Sequence, residues 1–514
     1  MNVIAQLQAQ GAAIDRLTSD SRRCGPGSLF FAYPGERLDG RAHIEEAIRR
    51  GASAVLWEAD GFTWPIHLKT PNVAVRNLKS VAGPLANQFF GKPTEGLWVC
   101  GVTGTNGKTT TCQWLAAALS EAGICTAVIG TLGVGFLPSL VPTSNTTPDA
   151  LELQQLLSVM RNEGAKAIAM EVSSHGLAQS RVAGVAFDCA LFTNLSHDHL
   201  EFHGTMEAYA AAKVLLFEMR GLKTAVLNMD DVLGVQIAGR LVGRNIRTIG
   251  YCLSLDSVVP GSVHDFVAAR SILQRERETS FEIASSLGNG KVEIGHLGRF
   301  NVANALGVLG CLLAYGLAFD KAIELIGRLP PIPGRMQMLG ETGDPLVVVD
   351  YAHTPDALEK TLQALRPVAL ARGGRLVAVF GAGGERDPGK RPFMGAIATR
   401  HADRVLLTSD NPRGEQPGTI IDEILSGVTD TAAVDIEPSR GRAIEIAIRA
   451  SAPADVVLIA GKGHETYQEI AGIQKPFSDI ESAREAIRAR RAKQESFSGL
   501  AVTAARSGTG LVAS

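Results

Sequence analysis

The 514-residue chain predicts an α/β protein of several domains, and three observations carry that reading. Short apolar runs recur between longer helical stretches, the pattern of strands crossing over to parallel neighbours. Composition agrees: 45% of residues are hydrophobic but only 5% aromatic, which suits layers rich in Ala, Val and Gly. The run LWVCGVTGTNGKTTT, residues 97–111, joins a buried strand to a helix through a glycine-rich turn. A chain of this length exceeds one hydrophobic core, so two to four domains are expected.

Residues 1–94 mix short strands and helices and end at Lys92-Pro93-Thr94, the first expected boundary. The start, MNVIAQLQAQGAAIDRL, has neither a basic stretch nor an apolar one, so no signal peptide is expected. Nor is any apolar run long enough to span a bilayer, and a cytoplasmic enzyme without membrane insertion is the expectation. The net charge of −2 speaks against a general nucleic-acid binder. Seven scattered cysteines (Cys24, Cys100, Cys112, Cys125, Cys189, Cys252, Cys311) form no CxxC pair and read as small buried hydrophobes in a reducing compartment, not as disulfides or a zinc site.

The second block, 95–333, opens with the glycine-rich turn. Backbone N–H groups at the helix start favour an anion, Lys108 can reach terminal phosphates, and the Thr109 hydroxyl can join a Mg²⁺ shell. Gly104, Thr105, Asn106, Gly107 and Thr110 complete the cradle, whose expected occupant is ATP. The strict phosphate-loop pattern wants a small residue where Val102 stands, so the loop is a variant. Further strands are expected at 126–130, 167–172, 189–194 and 225–228, giving a mainly parallel sheet. Glu171 closes one of them, at the strand end where open α/β sheets bind ligands, and can face a cation opposite Thr109. Behind it, EVSSHGLAQSRV gathers Ser173, Gln179 and Arg181, a density suited to an oxygen-rich anion. NLSHDHLEFHG then offers His199 as a metal or phosphate contact. Lys213, among apolar neighbours in MEAYAAAKVLLFEM, reads on its own as a snorkelling lysine.

The breaker RLPPIPGRM, residues 328–336, marks the second boundary. A fresh α/β pattern fills 334–493, with buried strands at 346–349, 376–380, 405–408 and 456–459. There Asp410-Asn411-Pro412-Arg413 follows a strand directly. Arg413 and Arg386 can fork onto carboxylates, and Asp410 can hold an ammonium group. The last helix is expected near 480–492, and 494–514 as a disordered tail of small polar residues.

In order, TGTNGKTTT, EVSSHG, NLSHDHLEFHG, GRFNVANA, VVDYAHTPDAL and GKGHE resemble the Mur ligase family, which builds the peptide stem of cell-wall precursors. The resemblance implies an N-terminal α/β UDP-binding domain, a central P-loop ATPase domain and a C-terminal Rossmann-like domain bringing the amino acid. Ser19 and Ser21 match uridine contacts, with Glu36, Arg37 and Leu38 on a second contact segment. Asn145, Thr146 and Thr147 match the loop that grips UDP-MurNAc-L-Ala-D-Glu, together with Ser173, Gln179 and Arg181. Asn301 and His353 match the adenine and ribose side of ATP. Arg386, Asp410–Arg413, Gly461 and Glu465 match a meso-diaminopimelate site, and Lys213 matches a lysine carbamylated by CO₂ that supports a second Mg²⁺ near His199. The implied activity is ATP-dependent amide ligation in peptidoglycan synthesis by a monomer. An L-lysine-adding ligase, a folylpolyglutamate synthase and a nucleotide-binding regulator are the alternatives.

Overall fold

The computed structural model describes residues 3–36, 38–254 and 261–507. Three large sheets organise them, as three runs of strand-helix alternation require, and a two-stranded hairpin of Tyr467–Ile470 and Ile473–Pro476 stands apart. The first has four parallel strands in sequence order, Arg16–Thr18, Ser28–Ala32, Ala54–Glu58 and Asn72–Val75. The helix Leu78–Phe89 follows, and the chain reaches the second sheet at Trp98.

The second sheet has eleven strands. The strand Trp98–Thr103 lies between Ala167–Glu171 and Cys189–Phe192, pairing parallel with both. Chain order therefore reverses around it, which opens a crevice at the carboxyl ends of these three strands. Val99, Cys100 and Val102 are inaccessible to solvent, so the strand is buried on both faces as its unbroken apolar run predicts. The helices Lys108–Glu121 and Arg299–Tyr315 cover one face in a single apolar cluster. Both sheet edges turn antiparallel, through Gly133–Phe136 and Ser139–Val141 on one side and Asp265–Gln274, Thr279–Ser285 and Gly288–Ile294 on the other.

The third sheet runs Gln337–Leu339, Leu346–Asp350, Val456–Ala460, Leu376–Phe380, Arg404–Leu407, Val434–Ile436, all parallel but the first. The final helix, Asp479–Ser507, continues past residue 493 into the stretch expected to lack structure. Its Ala-, Arg- and Glu-rich sequence has the propensity to propagate a helix through Gly499. The buried-cysteine expectation fails at Cys125, which is exposed where the chain turns into a strand, and Cys24 is half-buried. Cys100, Cys189 and Cys311 do meet in the core, their sulfurs within 4.8 Å of one another. Among the described residues no helix is long and apolar enough to cross a membrane.

Candidate active site

The glycine-rich turn fills the crevice of the central sheet. Gly104 (φ +150°) and Gly107 (φ +86°) hold backbone angles that favour glycine. A Cβ on Gly104 would lie 1.8 Å from Thr193 Oγ1, and one on Gly107 would lie 2.5 Å from Asn304 Oδ1. The turn is pinned from beneath by Asn194, whose Oδ1 accepts from Asn106 N at 3.0 Å. Lys108 opens the helix and folds back to donate to the Gly104 and Thr105 carbonyls at 2.8 and 2.9 Å. Burial pulls its amine below the usual lysine range, against the raising pull of Glu171 and Asp198. Thr110 is buried in the same helical turn. Asn301 lies buried below, donating to Leu297 O, and Asn304 donates to its Oδ1 at 3.2 Å.

Thr109 donates to Glu171 Oε2 at 3.0 Å. Glu171 also takes the Thr131 N–H on Oε1 (2.7 Å) and the Thr131 hydroxyl on Oε2 (3.1 Å). The Thr146 hydroxyl lies 3.0 Å from that of Thr131, and Thr147 donates to the Glu171 carbonyl. One hydrogen-bonded chain thus runs from the 145–147 loop to the phosphate corner. Arg335 ends it, donating from Nη2 to Thr109 Oγ1 at 3.1 Å while its guanidinium stacks 4.3 Å from the Tyr351 ring. Arg335 and Thr131 escaped the sequence reading. Arg335 stands inside the breaker 328–336, where sequence marks a boundary but not the contact with Thr109.

His199 has a left-handed backbone (φ +55°) ahead of a short helix, and its imidazole lies 3.3 Å from Asp198 and 3.7 Å from Glu201. Its ring meets those of His175 and Tyr209 edge-on. Lys213 is fully buried, its Nζ lacks a hydrogen-bond partner among the described residues, and it lies 4.1 Å over the Tyr209 ring. The snorkelling expectation is therefore wrong: the head group points inward, not to water. Burial, then the Lys108 charge, push this amine well below the lysine range. His353 comes from the third sheet's side, its Nδ1 2.8 Å from Tyr351 O. Asn106 Nδ2 donates to Asp356 Oδ2 at 3.0 Å, joining the phosphate loop to the helix that begins at Pro355.

At the other end, Ser173 caps its helix by accepting from Gly176 N at 3.0 Å. Arg181 grips Gln179 Oε1 through Nε and Nη2 and the Thr147 carbonyl through Nη1. Gln179 in turn donates to Glu36, joining the first unit to the central one. Leu38 and Asn145 are exposed at the rim, and Arg37 lies outside the described residues. Ser19 bonds the Tyr33 hydroxyl. Ser21 is buried, and its hydroxyl donates to Glu46 at 3.2 Å.

The DNPR segment lies in the third unit. Asn411 Nδ2 donates to Glu465 Oε2 at 2.8 Å, and the buried Lys462 donates to Asn411 Oδ1 and to Glu465 Oε2. Arg413 (φ +51°) bonds the Gly384 carbonyl at 2.7 Å through Nη1, and a Cβ on Gly383 would lie within 3.6 Å of both Arg413 and the exposed Arg386. Pro412 packs over Gly384, and the buried Arg391 ties both loops together through Glu415 and Gly383 O. Gly461 (φ +120°) abuts Asp410, where a Cβ would lie 2.4 Å from Oδ2.

A glycine-rich loop facing a buried carboxylate, beside a second unit that offers forked cations and an acid, defines an ATP-using acid–amine ligase of the Mur type. Family models agree: residues 13–90 match the Mur ligase family catalytic domain, 102–312 the Mur ligase middle domain and 334–463 the Mur ligase glutamate ligase domain. The chain belongs to the Mur ligase family. It is 49% identical, over 94% of its length and 96% of the relative's, to a UDP-N-acetylmuramoyl-L-alanyl-D-glutamate--2,6-diaminopimelate ligase of Chromobacterium violaceum. A Pseudomonas aeruginosa protein of the same name is 48% identical over 93% of this chain and 95% of its own. A solved structure of that ligase type matches with TM-score 0.67 at 34% identity, covering 93% of this chain and 95% of the other. The MurF ligase of Thermotoga maritima, solved with ADP, shares the fold at TM-score 0.62 and 20% identity, over 94% of this chain and 99% of that one.

Proposed function

We infer that this chain is an ATP-dependent ligase that joins meso-2,6-diaminopimelate to the D-Glu γ-carboxylate of UDP-MurNAc-L-Ala-D-Glu in peptidoglycan precursor synthesis. One observation carries the choice of amino acid: Asp410, Asn411, Arg413, Arg386, Gly461 and Glu465 converge on one loop cluster. The near-full-length likeness to diaminopimelate ligases supports it.

A carboxylate is a poor electrophile, so amide formation needs activation. ATP supplies it by phosphorylating the γ-carboxylate to an acyl phosphate; the amine attacks, and the tetrahedral adduct expels phosphate. Lys108 and the N–H groups of the phosphate loop balance charge on the moving phosphoryl group. Residues 1–94 hold the uridine end, 95–333 the ATP and 334–493 the amino acid, with Gln179 and Arg181 seating the dipeptide. Asn301 and His353 face the nucleoside.

The oxygen-rich corner suits Mg²⁺. The Thr109 hydroxyl donates once and accepts once, which leaves one lone pair, and Glu171 stands beside it. Thr109, Glu171, His199 and a carbamylated Lys213 would hold such ions, which when bound neutralise the meeting of two anions. The orphaned, buried Lys213 amine fits the carbamate, because CO₂ adds only to a neutral amine. A cytoplasmic monomer is the proposed working form.

The test supplies UDP-MurNAc-L-Ala-D-Glu and ATP and compares phosphate release with meso-diaminopimelate, L-lysine and no amino acid. Release is expected with the first. Lysine lacks the distal carboxylate and is expected to be about 10⁴-fold worse in kcat/KM. Equal release in all three overturns the assignment.

A further inference from the structure

Among the described residues, Asp410 Oδ2 is a buried carboxylate oxygen with no hydrogen-bond partner. Its sister Oδ1 accepts the Asn411 N–H at 2.7 Å. Gly461 keeps space beside Oδ2, since any Cβ there would intrude. A buried, unspent carboxylate oxygen is costly unless something completes it.

The nearest cation is not bonded to it. Arg440, fully buried at the head of the helix Arg440–Ala450, holds Nη1 3.9 Å from Asp410 Oδ2. Its guanidinium is spent elsewhere: Nε and Nη2 donate to the two oxygens of Asp479 at 2.7 Å each, Nη2 also to Ala460 O at 2.8 Å, and Nη1 to Ser409 O at 3.2 Å. Asp479 is equally buried and begins the last helix. Two acids therefore share one fixed cation, and the group as a whole lacks one positive charge.

We propose that Asp479 is a positioning residue for amino-acid recognition: its two-point hold on Arg440 keeps that guanidinium off Asp410, leaving Oδ2 for the ammonium group of the incoming amino acid. This rests on the ligase reading above and deepens it. Two parallel charge-assisted bonds fix the guanidinium plane as well as its place. Without the Asp479 charge, Arg440 becomes a buried cation whose nearest anion is Asp410, and a shift of about 1 Å gives it hydrogen-bond contact with Oδ2. The oxygen meant for substrate is then occupied from within.

The experiment compares wild type with Asp479→Asn, which keeps the shape and removes the charge, and with Glu481→Gln, an exposed control on the same helix. Steady-state constants are measured for meso-diaminopimelate, for ATP and for 2-aminopimelate, which lacks the distal amine. Asp479→Asn is expected to raise KM for meso-diaminopimelate about tenfold or more. KM for ATP stays put, and the preference over 2-aminopimelate narrows. The double variant Asp479→Asn/Arg440→Gln, which removes both charges, recovers part of that preference, an outcome that a packing defect cannot give. Should Asp479→Asn not fold, Arg440→Lys keeps the charge, breaks the two-point hold and is expected to give the same split. An unchanged preference in the folded variant, or KM for ATP rising in proportion, overturns the assignment. A wild type without turnover on meso-diaminopimelate overturns the ligase reading as well, whereas an active wild type with no effect in the variants overturns this inference alone.

Discussion

Replacing Lys213 by Met is expected to stabilise the protein while abolishing ligation. The amine is fully buried, has no hydrogen-bond partner among the described residues and rests on the Tyr209 ring. Leaving such a group unsatisfied costs about 1–3 kcal/mol, and Met fills nearly the same volume with a thioether that asks for no partner. For a unit the size of the central one, that gain corresponds to a rise in melting temperature of about 2–4 °C per kcal/mol. The sign with pH follows from burial and the Lys108 charge, which hold the folded-state amine well below its unfolded value. Folding must strip a proton that the unfolded chain keeps up to about pH 10.4. The advantage of Met is therefore full below the depressed pKa and shrinks as pH climbs toward the unfolded value. Calorimetric scans at one rate, in CO₂-depleted buffer from pH 7 to 10, measure this, and phosphate release measures the lost activity. A Met variant less stable than wild type at pH 7, or one that still ligates, refutes the reasoning. Carbamylation predicts in addition that Lys213→Ala regains part of its activity with added formate or acetate, and no recovery at all counts against that role.

Thr131→Val removes the hydroxyl that orients Glu171 Oε2 yet keeps the backbone bond to Oε1. A Mg²⁺ titration of activity is expected to shift by about 10- to 100-fold, and an unshifted curve would show that Glu171 faces no cation. Arg413→Ala and Arg386→Ala are each expected to reduce the meso-diaminopimelate preference over L-lysine by at least about tenfold, read as a ratio of kcat/KM. Burial holds the imidazoles of His175 and His203 down to about 4 and that of His464 to about 3. The unfolded chain protonates these rings first. Their contribution to stability is therefore intact above about pH 6.5 and is lost progressively as pH falls toward those values. Ring-proton NMR titration should find all three neutral at pH 5.5, and a ring titrating near 6.5 would contradict the burial argument.

The phosphate loop was legible because local rules determine it: an apolar run makes the strand, glycines permit the turn, and Lys108 starts the helix. The same holds for Glu171, a strand-end acid in a sheet whose order reverses nearby. Side-chain direction was less accessible. Whether Ser21 faces solvent or Glu46, and whether Lys213 snorkels or turns inward, depends on helices packed from elsewhere in the chain. Arg335, Thr131, Arg391 and Asp479 went unread for a related reason. Each bonds a residue far away in sequence, and no spacing rule encodes that pairing. The antiparallel edges of the central sheet were missed because strand orientation is decided by connections, not by the apolar pattern of the strand itself.

Arg335 gives the second domain boundary a chemical consequence. It sits two residues before the strand Gln337–Leu339, which pairs antiparallel with Leu346–Asp350, on the segment that joins the second and third units. Its 3.1 Å bond to Thr109 occupies a lone pair of the hydroxyl proposed to meet a cation, and Thr109 spends its proton on Glu171. Moving this boundary segment by an ångström or so would lengthen that bond past hydrogen-bond range and return the lone pair. On the proposed function, the third unit and the hydroxyl proposed to meet a cation are thus coupled through one guanidinium. Arg335→Lys, too short for both the Tyr351 stack and the Thr109 bond, is the variant in which that coupling should fail first.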